Sequence, residues 1–365
     1  MNYFGHKRKK KKRFQYAIRR LRIIKKNLSR LRKRRKRINK RLYYQRMEKR
    51  VKIAKLIREG RWFTENIEPL YAPSDFRLLK NTKECAYFFS KLLMMENIYY
   101  VTDVCSEVKV DLTNVVHIDF ASTLMLSVIC KELAKKKCNV KEYHNKNDSC
   151  FTYLKESGFF DRRYDAKGRM LLNPGNSQIM VFESGEVILA DNIRKFTKII
   201  SQVGFHLNGE DIVNKTDYVG MIKEICGNSC EWGNKGKTEW TIGAKYEKEK
   251  VVFVALDLGQ GILNSLVKST KEAVQDLFAS RSDEDVLMRV FEEYYGSRTK
   301  EDNRHQGLPF IKECNDNGSI CDLQVVTNNV SVEFTDLKKC QFTEKRTDFI
   351  GTLYSWRINK DCLNK

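Results

Sequence analysis

Four short stretches of this sequence carry residues suited to chemistry. "VVFVALDLGQGI", Val251 to Ile262, runs from β-branched and apolar residues into Asp257, Gly259 and Gly261. A carboxylate at a strand end, followed by bare backbone, can meet a nucleotide; an ordinary turn that needs positive φ uses the same glycines. Upstream, "MIKEICGNSCEWG" reads as a helix with Glu224 and Asn228 four residues apart on one face. Val219, Ile222 and Ile225 mark its buried side. Two polar residues stacked within an otherwise apolar helix could also be a surface pair. Downstream, "RHQGLPF" holds Gly307 and Leu308, and "DFIGTLYSWRI" sets Gly351-Thr352 where a strand begins. Leading into Gly307, "GSRTKEDNRHQGL" offers Arg298, Lys300 and Arg304, which either reach an anion or are solvated loop charges.

Strands and helices must hold these residues. "EVKVDLTNVVHIDF" reads as strands around a turn, "STLMLSVICKELAKKK" as an apolar helix, "NVKEYH" as a strand and "SCFTYLKESGFF" as a helix. That alternation predicts a small α/β domain over 80–165. A second domain over 177–365 opens with the strand-rich "QIMVFESGEV". "DNIRKFTKIISQVGFHL" and "KTDYVGMIKEICGNSCEWG" then read as helices, and "TEWTIGAKYEKEKVVFVALDLG" reads as a hairpin. Residues 61–79, with Pro69 and Pro73, read as a linker. The expected class is α/β, with a basic helical arm in front.

That arm dominates the charge. The net charge of the 365-residue chain is +23. Residues 1–60 hold 27 Lys and Arg against Glu48 and Glu59, net +25; the other 305 residues carry 42 basic and 44 acidic side chains. From Phe14 a thin apolar seam recurs every seven residues through Leu21, Leu28 and Leu42, with Arg35 as its one break. So dense a cation run repels itself without counter-charge, so the expected partner is nucleic acid, bound through phosphates. A membrane surface, an acidic protein or packing on the chain's own body are the other readings. No apolar run nears the roughly 20 residues a membrane span needs. The basic N-terminus lacks the apolar core of a signal peptide. The 11 cysteines show no metal-ligand spacing, which suggests free thiols and a cytoplasmic protein.

The order Glu-x-x-x-Asn, Asp-x-Gly-x-Gly, Gly-Leu, then Gly-Thr before a strand resembles the GHKL ATP-binding superfamily. This group includes gyrase, mismatch-repair ATPases, the heat-shock chaperone, sensor histidine kinases and bacterial anti-sigma factor kinases. The resemblance covers about Ser177 to the C-terminus. It implies an α/β sandwich, a mixed sheet with helices on one face, that binds ATP and Mg²⁺. Asp257 would accept from the adenine amino group, and Gly259 and Gly261 would let backbone approach base and ribose. Asn228 would hold Mg²⁺, and Glu224 would orient the attacking water. Thr352 would bond adenine through a water, and Gly307 with Leu308 would close a lid spanning Leu263–Gln306. Pro309 stands where the family usually has a second glycine. None of His6, His117, His144, His206 and His305 lies on a dimerisation helix of the sensor-kinase kind.

The preceding stretch, "VKVDLTNVVHIDFASTLMLSVICKELAKKKCNVKEY", is similar to STAS domains. In the anti-sigma-factor antagonists of that family a phosphorylated serine follows the aspartate. Here Phe120 follows Asp119, so neither Ser122 nor Thr123 matches that position, and Ser122 reads as a helix N-cap. The leading expectation is an ATP- and Mg²⁺-dependent switch in which nucleotide state alters STAS packing or self-association, including a homodimer, and gates what the arm binds. A slow ATPase reset through Glu224 would accompany it. One alternative is a protein serine kinase acting on a partner or on its own STAS-like domain. Another is an ATP-binding interaction protein that hydrolyses nothing.

Overall fold

The computed structural model describes residues 69–95, 107–135, 138–145, 148–160, 180–232, 238–267, 281–292, 307–335, 338–341 and 348–364. They belong to one of the chain's two compact units, Ile67–Tyr99 with Val104–Lys365. The cationic arm and its nucleic-acid reading lie outside the described residues, as do Arg298, Lys300 and Arg304. The described chain is α/β.

Its first half builds on short parallel strands. β1 (Leu70–Tyr71), β3 (Glu107–Asp111) and β5 (Asn139–Tyr143) form a sheet in the order β1-β3-β5. β2 (Asp75–Phe76) pairs with β4 (His117–Ile118). Parallel neighbours need crossovers, supplied here by the helices α1 (Thr82–Met95) and α2 (Phe120–Lys135). α3 (Ser149–Glu156) follows β5, and the Phe151 N–H donates to its N-cap, Asp148, at 2.6 Å. β1 and β2 fall within 61–79, which corrects the expectation of a linker there. Two-residue strands carry almost no periodicity, and the flanking prolines are tolerated at such strand ends.

The second half is one seven-stranded sheet with helices. β6 (Met180–Gly185) leads to α4 (Ala190–Asn208) and α5 (Thr216–Trp232). The hairpin β7 (Trp240–Glu247) and β8 (Lys250–Asp257) comes next. Then follow α6 (Ile262–Val267), α7 (Asp283–Glu292) and α8 (Leu308–Asp316). β9 (Cys321–Asn328), β10 (Val330–Glu333), β11 (Lys338–Gln341), β12 (Phe349–Asn359) and α9 (Lys360–Leu363) complete it. The sheet order is β11-β10-β9-β12-β8-β7-β6. Every described pairing in it is antiparallel, which corrects the expectation of a mixed sheet.

Both faces of this sheet are buried, and that explains the unbroken apolar run of β8. Val251, Phe253 and Ala255 face one core with α4, α5, α7 and α8, through residues such as Phe196, Ile225, Phe291 and Ile311. Val254 and Leu256, pointing the other way, join a second core with Phe88 and Leu92 of α1 and Leu124 of α2. Each fully buried side chain of this size contributes about 1.5–3 kcal/mol. Helices therefore cover both faces, not one as expected. α2 shows the consequence, since Phe120 to Ile129 are all buried. A helix with one wet side would show an apolar stripe. Instead α2 is wedged between its own sheet and the strands β7 and β8.

Specific contacts fasten this wedge. A Cβ on Gly243 of β7 would stand 2.8 Å from the Phe120 ring, so the glycine makes room for it. Lys131 donates to Ser184 at 3.1 Å and to Glu239 at 2.5 Å, and Lys135 reaches the other Glu239 oxygen at 2.8 Å. Gln324 of β9 donates its amide to the Leu79 carbonyl at 3.1 Å.

α7 corrects a further expectation. It lies inside the predicted lid, Leu263–Gln306, yet buries Val286, Leu287, Met288, Val290 and Phe291. That part is core, and Phe291 packs on Phe334 with ring centroids 4.8 Å apart. The flanking 268–280 and 293–306 lie outside the described residues. The nine cysteines whose side chains are described are free thiols. No described helix is long and apolar enough to cross a membrane.

Candidate functional site

The site is assembled at one end of the sheet, where three neighbouring strands meet a helix. β8 ends at Asp257, whose ladder partner on β12 is Thr352; Thr352 in turn pairs with Thr327 of β9. α5 lies over this end. The Ser229 hydroxyl donates to Asp257 Oδ2 at 3.0 Å, and the Gly259 N–H donates to Oδ1 at 2.7 Å. Asp257 is only 6% exposed. Burial pushes its pKa up from the usual 3.8 to about 6, while the Gly259 amide, the Ser229 hydroxyl and the Thr352 amide pull the other way. The carboxyl is thus mostly ionised at neutral pH. It has about four lone-pair sites, of which the three named donors use three.

The glycines follow from protein geometry. Gly351 has φ +88°, and a Cβ there would overlap the Asp257 carbonyl oxygen. Gly261 has φ +80°, and a Cβ there would overlap the Asn328 side chain. Asn328, itself at φ +54°, ties the loop down. Its Oδ1 accepts from Leu263 N–H at 3.0 Å, and its Nδ2 donates to the Gln260 carbonyl at 2.9 Å. Thr327 Oγ1 accepts from Ile262 N–H at 2.9 Å and lies 3.4 Å from the Thr352 hydroxyl. Gly261 is therefore required by the packing of its own loop, whatever a ligand needs.

On α5, Gly220, Glu224 and Asn228 recur every four residues and share one stripe. Glu224 is half-buried. The Asn228 Nδ2 is buried and has no hydrogen-bond partner in the protein, and the same holds for the Tyr354 hydroxyl on β12. The Phe310 ring of α8 lies where a Cβ on Gly220 would stand 3.3 Å from it. The start of α8 thus runs beside the stripe that carries Glu224. Gly307 is the N-cap of α8, at φ +66° and ψ −138°, a conformation that suits glycine. Leu308 begins the helix, and Pro309 sits in its first turn, where its missing N–H is not needed.

The structure therefore gathers Asp257, Gly259, Gly261 and Thr352 at one corner, with Asn228 and Glu224 on the helix above it. Ser229, Thr327, Asn328 and Tyr354 belong to this neighbourhood and were not singled out from the sequence. Ser229, next to Asn228 and four residues from Ile225, carried the only local signal. The Asp119 corner of the first half is arranged differently. Asp119 Oδ1 accepts from Ser122 N–H at 2.7 Å, and Oδ2 accepts from Leu79 N–H at 3.1 Å. Asp119, not Ser122, therefore caps α2. Ser122 is fully buried inside the helix, with its hydroxyl accepting from Leu78 N–H at 2.9 Å.

Among the described residues no group of three or more His, Cys, Asp or Glu is placed to hold a metal ion. In comparison with known proteins, the chain matches no family model and no curated protein.

Proposed function

We propose that the second half of the chain is a GHKL-type ATP-binding domain. A STAS-like domain is packed on the back of its sheet, and the whole is a nucleotide-dependent switch for the cationic arm. The observation that carries this reading is the Asp257 corner: a desolvated carboxylate with acceptor capacity left, fixed by Gly259 and Ser229. A carboxylate acceptor suits an exocyclic amino group such as that of adenine. The residues present fit the rest of such a ligand. The Asn228 amide has its nitrogen end buried and unpartnered. One amide oxygen, with the nucleotide's own phosphates and waters, matches how Mg²⁺ is ordinarily held. A bound ATP·Mg²⁺ would supply the phosphate anhydride and the charge that holds its oxygens.

The chain's own residues then have separate tasks. Asp257 accepts at the base end, and Thr352 stands beside it. Asn228 orients the cation. Glu224, one turn earlier, takes a proton from water in a slow hydrolysis. Gly307 and Leu308 would close on the phosphates; Arg298 and Arg304, outside the described residues, are candidate cations.

The tie between α5 and the first half supports coupling. α5 ends at Trp232, and seven residues later Glu239 is held by Lys131 and Lys135 of α2. A shift of α5 on nucleotide binding would pull on α2 through this clamp. Burial of Ser122 and Thr123 speaks against phosphoryl transfer to the chain's own STAS-like domain.

A ligand shifts such an equilibrium only by its differential affinity for the two states. The test is nucleic-acid affinity with and without ATP·Mg²⁺, for wild type and Asn228→Ala. The reading expects a nucleotide effect of about tenfold, equivalent to about 1.4 kcal/mol, in wild type alone. Equal affinities throughout would sink the switch. Deleting residues 1–60 should flatten the salt dependence of binding, and an unchanged slope would remove the arm from the account.

A further inference from the structure

Tyr354 has a buried hydroxyl that the roles above leave unused. It lies on β12 two residues after Thr352, on the same sheet face, and points into the core under α5. The side chain is 2% exposed, and its hydroxyl has no hydrogen-bond partner. Its surroundings explain why it is there. The Asn228 amide faces the hydroxyl, and the Asp257 carboxylate and Cys226 lie close enough to act on it. Two orphaned polar atoms, Asn228 Nδ2 and Tyr354 Oη, therefore share one dry space between α5 and the sheet. Leaving both unmade is costly, and a small rotation lets each satisfy the other. Phenylalanine would fill the same volume without that cost, so the hydroxyl is a feature in need of an explanation.

We infer that Tyr354 is a positioning residue for Asn228: its hydroxyl oxygen accepts from the amide N–H and so turns the amide oxygen outward, toward a nucleotide-bound cation. An amide has two different ends, and only the oxygen can ligate a metal. Rotation about the last side-chain bond exchanges them. A partner that accepts only from the nitrogen end selects the useful orientation, as groups behind metal ligands commonly do. The Asp257 carboxylate acts on the same hydroxyl through its charge.

The inference rests on the nucleotide reading, and the experiment separates the two. Tyr354→Phe removes one oxygen and keeps the ring. Binding of a fluorescent ATP analogue is titrated against Mg²⁺, and binding of adenosine is measured without metal. In the variant the Mg²⁺ concentration for half-maximal binding should rise by about tenfold, with adenosine affinity within about twofold of wild type. In an Asn228→Asp background, where both carboxylate oxygens are equivalent, Tyr354→Phe should add almost nothing. An unchanged Mg²⁺ requirement overturns the positioning role. So does an equal loss of adenosine and ATP binding, which would make the hydroxyl a matter of fold alone. A wild type that binds neither adenosine nor ATP removes the nucleotide reading, and this inference with it.

Discussion

Two buried aspartates stand at strand ends in this chain, and they are used in opposite ways. Asp119 follows β4 and opens α2; Asp257 closes β8 and opens a glycine loop. Burial raises the pKa of both. The surroundings of Asp119 consume it. Ser122 and Leu79 donate one amide to each oxygen, and among the described residues the one orphaned group that Asp119 acts on is the buried Tyr153 hydroxyl. The surroundings of Asp257 hold it without exhausting it. They do so with Gly261 and Gly351 in left-handed conformations and with two orphaned polar atoms close by. A capped corner is a finished piece of structure. An under-satisfied corner needs another reason to persist, and such corners gather at functional sites.

Substitutions can break this contrast. Gly351→Ala should be the most damaging, since the new methyl meets the Asp257 carbonyl at φ +88°. A loss of about 3–4 kcal/mol in urea denaturation is expected, with nucleotide binding abolished. Asp119→Ala should cost about 2–3 kcal/mol, for a lost cap and two stranded amides, and leave nucleotide affinity within about twofold. Asp257→Asn should behave in the opposite sense. The amide can still accept from Gly259 and meet Ser229, and a desolvated charge is gone. Stability without nucleotide at pH 7.5 should therefore rise, by on the order of 1 kcal/mol. A destabilised Asp257→Asn variant would make Asp257 a second structural cap.

Acidity sharpens the contrast further. Below about pH 6 and above about 3.8 the folded chain keeps a proton on Asp257 that the unfolded chain has released. Through this group, stability falls as pH rises across that window. Nucleotide affinity moves the other way, because only the ionised form has full acceptor strength, so it should drop as pH is lowered through about 6. Calorimetric titrations from pH 5 to 8 read this directly, and Asp119→Ala should leave the profile in place. The smallest effect expected is at the clamp. Burial opposes the Glu239 carboxylate, but hydrogen bonds from Lys131 and Lys135 hold its pKa below the usual value. Glu239→Gln should cost about 1 kcal/mol near neutral pH, and the cost should shrink as pH falls through the carboxylate range, where the wild-type pair is itself lost.

The strand ending at Asp257 was plain in the sequence, as were α4, α5 and the β7–β8 hairpin, because eight or more residues of consistent pattern mark each. The unbroken apolar run of β8 is consistent with burial on both faces, yet one covered face was expected, because what covers the second, α1 and α2, lies more than a hundred residues earlier. β1 and β2 were hidden by their length. The apolar side of α7 was legible at Val286, Leu287, Val290 and Phe291, yet the expected lid overrode it. The antiparallel order of the sheet was not legible, since strands read alike in either sense. Within the site, Asp257 and Asn228 stood out by residue type and spacing. Ser229, Asn328 and Tyr354 did not, because each matters only through a partner far away in sequence. Ser229 meets Asp257 across 28 positions, and Asn328 meets Leu263 across 65.

The most direct test is calorimetric titration of ATP with Mg²⁺ into the full chain at pH 7.5, beside Asp257→Asn. The account predicts one nucleotide bound per wild-type chain and affinity at least about 100-fold weaker in the variant, equivalent to about 2.7 kcal/mol. Equal binding by the two proteins, or none by wild type, would contradict it.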